Sequence, residues 1–130
     1  MDRTPIYIKQ CEKAVEIQDS WKPKNLDIFV TKQSHTQPVY PRDYLWDTER
    51  IRIMKKEFIW LPRQDQLQGM VGWTSYAKVT HLYGFINRNP SHGDVNARLC
   101  SMEQLWLAFV MKEKYNKIWN GEDWVLIDEA

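Results

Sequence analysis

Seven tryptophans, Trp21, Trp46, Trp60, Trp73, Trp106, Trp119 and Trp124, are spread along the whole of a 130-residue chain. Each indole brings a large apolar surface and one N–H that wants an acceptor when buried. Their spread suits one core built around large flat side chains better than a single aromatic binding groove. The length fits one domain, residues 1–130. A chain of this size buries roughly two-thirds of the surface that its unfolded form exposes, so a core without staples is expected. The two cysteines, Cys11 and Cys100, are too few for a disulfide framework, and a lone pair so far apart in sequence reads as two buried thiols in a reducing compartment.

The first segment opens on Thr4-Pro5, a helix cap followed by a proline at the first helical position. Tyr7, Ile8, Cys11, Ala14, Val15, Gln18 and Trp21 then recur at spacings of three and four, which predicts an amphipathic helix of about four turns. Lys22-Pro23-Lys24-Asn25 stops it. Asp27 to Thr31 reads as a strand, Ser34 to Pro38 as a turn, and Val39-Tyr40 as an edge pairing confined by Pro38 and Pro41. The segment from Arg42 to Glu49 is ambiguous. Arg50 to Lys56 alternates charged and apolar residues, as a third strand would. Glu57 to Leu61 reads as another strand.

The stretch Ile59-Trp60-Leu61-Pro62-Arg63-Gln64-Asp65-Gln66-Leu67-Gln68-Gly69-Met70 predicts a strand-to-helix corner. Pro62 cannot donate to a ladder and suits a helix start, and Asp65 complements the first turn. Arg63 and the glutamines are then the wet side. Thr74 or Ser75 caps a further helical segment, with Tyr76, Val79, His81-Leu82-Tyr83 and Ile86 as its apolar face. Asn87 to Asp94 is rich in every turn-forming residue type. Ser101-Met102-Glu103-Gln104 fits a capping box ahead of a helix that is apolar around most of its girth, which places that helix centrally. Asn120-Gly121 between Trp119 and Trp124 is a strong hairpin signal, and the two indoles are placed to pair across it. The pattern predicts an α+β fold, with about three helices packed on a small, mostly antiparallel sheet that ends in a C-terminal hairpin.

Few residues carry a recognisable chemistry. His35, His81 and His92 share no metal-ligand spacing with one another or with the cysteines, so no metal or other cofactor is implied. There is no nucleophile elbow and no phosphate-cradling glycine pattern. The 18 basic and 17 acidic residues leave a net charge of +1, which calls for neither nucleic acid nor membrane. No run of residues approaches membrane-spanning length and no leader is read at the start, so a cytoplasmic setting is expected. Arg50, Arg52, Lys55, Lys56 and Arg63 form one local basic cluster around Trp60. As a strand it would track phosphates while an aromatic stacks a base, or it would be an edge guarded by charge. Arg63, Gln66 and His92 are candidates for contact with a protein partner, because Trp, Tyr and Arg dominate interface energetics.

Three segments together carry a resemblance. They are Cys11-Glu12-Lys13-Ala14 with Trp21-Lys22-Pro23-Lys24; Trp60 to Leu67; and Ser101 to Met111 with the Trp-Asn-Gly-Glu hairpin. The chain resembles small proteins of phage and prophage regions in Gram-positive bacteria. The resemblance implies a phage-related origin and the cytoplasm of a bacterial host, and it implies no reaction and no functional residue. The leading expectation is a non-enzymatic accessory protein that binds an unidentified protein partner. The alternatives are a nucleic-acid accessory protein using the 50–63 region, and a small enzyme whose site assembles in space around His81 and His92.

Overall fold

The computed structural model describes residues 1–37, 47–88, 91–92, 95–96 and 100–127, with residues 91, 92, 95 and 96 seen by backbone alone. Among the described residues, six helices and three two-stranded antiparallel pairs make an α+β chain that closes on a hairpin. The helices outnumber the three expected, and the strands form separate pairs rather than one sheet. The expected edge pairing at Val39-Tyr40, Trp46, and residues 89, 90, 93 and 94 of the polar loop lie outside the described residues. The chain divides into two compact units, Arg3–Arg63 and Met1–Asp2 with Gln64–Ala130.

In the unit Arg3–Arg63, helix α1 (Pro5–Lys13) starts as its sequence predicts. The Thr4 side chain accepts from the Tyr7 N–H at 3.3 Å, and Pro5 fills a position where a missing N–H does no harm. The long helix breaks at Ala14, whose ψ of 72° turns the chain into a second helix, α2 (Val15–Ser20). Tyr7, Ile8, Cys11, Ala14, Ile17 and Trp21 are all buried across the break. Val15, expected inside, is 55% exposed, because the turn at Ala14 carries it out of the apolar arc.

Strand β1 (Phe29–Thr31) pairs antiparallel with β2 (Phe58–Trp60), Phe29 opposite Trp60 and Thr31 opposite Phe58. Around this pair Trp21 stacks on Trp60 at 6.0 Å, Phe29 meets Trp21 at 5.5 Å, and Phe58 meets Phe29 edge-on at 5.3 Å. The Tyr7 hydroxyl, fully buried, donates to the Pro62 carbonyl at 2.6 Å, which anchors the end of the unit to α1.

Residues 50–56 are helical, not a strand. They form α3 (Thr48–Glu57), capped by Asp47, whose carboxylate accepts from the Arg50 N–H at 2.8 Å. The alternating charges hid a helical period: Met54 is buried and Ile51 half-buried at a spacing of three, while Ile53, which a strand would point inward with Ile51, is exposed. The Asp47-Thr48-Glu49 start supplies a cap in Asp47 and a first-turn carboxylate in Glu49 that a strand would not use.

In the other unit, α4 (Gln64–Met70) follows the predicted corner but begins two residues after Pro62. Its Leu67 is fully buried, and α4 packs on α6 (Met102–Tyr115). Ser101 caps α6 by accepting from the Gln104 N–H at 3.1 Å. The Gln104 side chain does not return to the cap. Its Nε2 donates to the Asp2 carboxylate at 2.7 Å, and the Ser101 hydroxyl donates to the same oxygen at 2.5 Å. A carboxylate therefore sits at the positive end of the α6 dipole. Every residue from Gln104 to Met111 is buried, as expected of a central helix. Asn116, in the left-handed region with φ 55°, ends α6.

Helix α5 (Ser75–Arg88) is capped by Thr74, whose hydroxyl accepts from the Ala77 N–H at 3.2 Å. Its Phe85 packs edge-on against Phe109 at 5.5 Å, and Phe109 also meets Trp73 and Trp106 at 6.1 and 5.6 Å. Residues Ser91–His92 (β3) and Val95–Asn96 (β4) form a short antiparallel pair. The chain closes on β5 (Lys117–Trp119) and β6 (Trp124–Leu126), with Trp119 opposite Trp124 and their rings 5.2 Å apart. The Asn120 side chain holds the turn by accepting from the N–H groups of Glu122 and Asp123, each at 2.8 Å.

Candidate interaction surface

Four of the five residues of the basic cluster are spread around one helix, and the cluster is largely engaged. On α3, Arg52 Nη2 pairs with Glu49 Oε1 at 2.7 Å and Arg50 Nε lies 3.8 Å from Asp47 Oδ2. Lys55 Nζ donates to the Asp19 carbonyl at 2.7 Å. Arg63 folds back on its own unit, donating through Nη1 to the Leu26 carbonyl at 2.8 Å with Asp27 Oδ1 at 3.7 Å. Trp60 is buried against Trp21 and has no face open for a base. A helix in place of the expected strand also sets Arg50 and Arg52 about 200° apart around its axis, so they do not form one row. Lys56 keeps company with Lys32, which no sequence signal singled out. Both line a cleft of about 350 Å³ with Thr31, Gln33, Glu57 and Phe58. An adjoining cleft of about 220 Å³ shares Lys32 and Phe58 and adds Lys55, Glu12 and Asp19. Carboxylates stand among the ammonium groups in both, so neither concentrates one sign of charge.

The remaining candidates are dispersed. Gln66 is half-buried on α4. His92 is placed by its backbone in β3. His81 is exposed on α5 with its ring 4.4 Å from Trp73. Among the described residues no three His, Cys, Asp or Glu side chains converge as a metal cluster, and no helix is long and apolar enough to cross a membrane. Cys11 is buried as expected, whereas Cys100 is only half-buried, and no disulfide joins the two. Burial pushes the Cys100 thiol above its ordinary value; a backbone hydrogen bond opposes this, and the Asp2 carboxylate adds to it.

The feature that stands out is the outer side of α5. Leu82 and Phe85 are buried, but Tyr76, Val79 and Tyr83 are 82, 65 and 66% exposed. At about 100° per residue these three fall within about 60° of arc, and exposed Thr80 and Asn87 extend the same face. The sequence reading had grouped Tyr76, Val79 and Tyr83 with His81, Leu82 and Ile86 as one mixed apolar face. An apolar period shows that residues share an arc, and α5 has two such arcs, only one of which is covered. Single exposed apolar residues are ordinary, whereas a row of three along one helix is the kind of patch that marks a contact surface. The Thr80 hydroxyl donates to the Tyr76 carbonyl at 2.8 Å, so it is already satisfied within its own helix. No family model, curated protein or solved structure matches the chain.

Proposed function

We propose that this chain is a non-enzymatic protein-interaction module, an accessory protein of phage or prophage origin that works in the cytoplasm of a bacterial host. The observation that carries the reading is the row Tyr76, Val79 and Tyr83, three large side chains left open to solvent along one face of α5. Tyrosine gives large rigid contact area for little conformational entropy, which makes it a favoured interface residue. The nucleic-acid alternative has less support, since Arg50, Arg52, Lys55 and Arg63 are held by groups of their own unit. The phage setting rests on the resemblance of the three sequence segments alone.

The experiment is capture of the tagged chain's partners from host lysate, with and without nuclease and across a salt series, for the natural chain and for Tyr83→Glu. A protein retained through nuclease and salt, and lost with Tyr83→Glu, is the expected result. Retention of nucleic acid that falls steeply with salt, unaffected by Tyr83→Glu, would replace this reading with the basic-cluster one.

A further inference from the structure

We propose that the molecule covering the α5 face is a second copy of this chain, with the two α5 helices antiparallel across a two-fold axis; this rests on reading that face as a contact surface. The first ground is charge. Tyr76, Val79, Thr80, Tyr83 and Asn87 form a face with no charged residue, and α5 as a whole contains no carboxylate. Lys78, His81 and Arg88 fall outside that arc. Charge that would select an unlike partner is missing from this face, and so is any like-charge repulsion against a copy of itself.

The second ground is size. A two-fold axis makes every contact twice, and it needs large groups to face small ones. With Val79 of one copy opposite Tyr83 of the other, each phenol ring lies over a valine and beside Thr80. The same register sets Tyr76 against Ile86 and Asn87, where the carboxamide can partner the phenol hydroxyl. Lys78 falls opposite Gly84 and Arg88 opposite Thr74, so these two cations do not meet their like, and His81, level with its counterpart, lies about 140° around the helix from Tyr76 and outside the contact. The Thr80 hydroxyl, bonded within its own helix, is covered without becoming an orphan.

The third ground is area. Two tyrosines, a valine and their polar neighbours at this exposure offer about 500 Å² per copy, so a contact that covered all of it would bury a total of about 1,000 Å², the lower bound for a specific interface. The pairing is accordingly reversible and concentration-dependent.

Sedimentation equilibrium of the full chain tests this between roughly 10 µM and 1 mM, the range in which an interface of this size associates. The mass is expected to rise from one chain to two. Val79→Lys and Tyr83→Glu, both at exposed positions, are each expected to move the midpoint at least about tenfold higher while leaving circular dichroism unchanged. Mixing the two variants restores association, because the register sets the new ammonium of one chain against the new carboxylate of the other. A natural chain that stays monomeric throughout overturns the proposal, as does a dimer that neither substitution weakens. Loss with both variants but no recovery on mixing overturns the antiparallel register. A monomer that still captures a host protein through Tyr83 overturns self-pairing and leaves the contact reading standing; a monomer that captures nothing removes both.

Discussion

The Gln18 carboxamide takes both hydrogen bonds that a further strand would make to Trp60: its Nε2 donates to the Trp60 carbonyl and its Oε1 accepts from the Trp60 N–H, each at 2.9 Å. The same Nε2 lies 3.1 Å from the Cys11 carbonyl. One side chain thereby closes the open edge of a two-stranded pair and ties it to the break between α1 and α2. Sheet edges left bare invite pairing with other chains. Gln18→Leu keeps the volume and orphans the Trp60 backbone groups. It is expected to lower stability by about 2 kcal/mol. Urea unfolding checks this through a lower midpoint at unchanged slope; an unmoved midpoint would mean that water serves that edge equally well.

The tryptophans divide by whether their indole N–H finds an acceptor. Trp21 Nε1 donates to Asp27 Oδ2 at 3.0 Å, and that carboxylate oxygen also accepts from the Lys24 N–H at 2.9 Å. The buried N–H groups of Trp60, Trp106 and Trp119 meet no acceptor among the described residues. Trp21→Phe is therefore expected to cost about 1–3 kcal/mol more than its loss of volume, because it strips a bond from a buried carboxylate. Trp106→Phe removes an unsatisfied donor, which offsets part of the volume lost, so it is expected to be the milder change. Thermal unfolding of the two variants side by side gives the order; the reverse order would contradict this account of the indoles.

Leu26 is held at φ 75°, in the left-handed region, with its side chain 87% exposed and its carbonyl fixed by Arg63. A side chain that buries almost nothing does not offset that backbone strain. Leu26→Gly relieves about 1–2 kcal/mol of strain and returns part of it as unfolded-state entropy, for an expected net gain of about 0.5–1 kcal/mol. A denaturation midpoint that falls rather than rises would show that Leu26 makes a contact that holds it there.

Cys100 carries a pH dependence of definite sign. Its thiol is raised in the folded chain, chiefly by burial. The folded state thus holds its proton to higher pH than the unfolded state does. The stabilisation is fully present below the unfolded thiol value and is lost as pH rises through the folded one. Stability measured from neutral to alkaline pH is expected to fall less steeply in Cys100→Ser than in the natural chain. Parallel curves would assign the alkaline loss to other groups.

Local chemistry was legible wherever one residue type had one use. Thr4-Pro5 and Ser101 start helices as their side chains dictate, and Trp119 and Trp124 flank a turn held by Asn120. The unbroken burial of α6 follows from its all-round apolar sequence. Segment 50–56 was misread because Ile51 and Ile53 fit a period of two while Ile51 and Met54 fit a helix, and a short segment satisfies both. The break at Ala14 was invisible, since the apolar period continues across it. The interaction surface was the least legible part. Tyr76, Val79 and Tyr83 were seen as an apolar stripe, but which of two stripes faces inward depends on Phe85 finding Phe109, a contact between residues 24 positions apart in sequence.

The most direct test of another α5 covering this face is amide hydrogen exchange along Ser75–Arg88, measured for the natural chain at low and high concentration. Exchange reports local opening, and a covered helix opens less often than a bare one. The account predicts that these amides slow as the chain is concentrated, while those of α6, already central, do not change. Exchange in α5 that is the same at every concentration would contradict it.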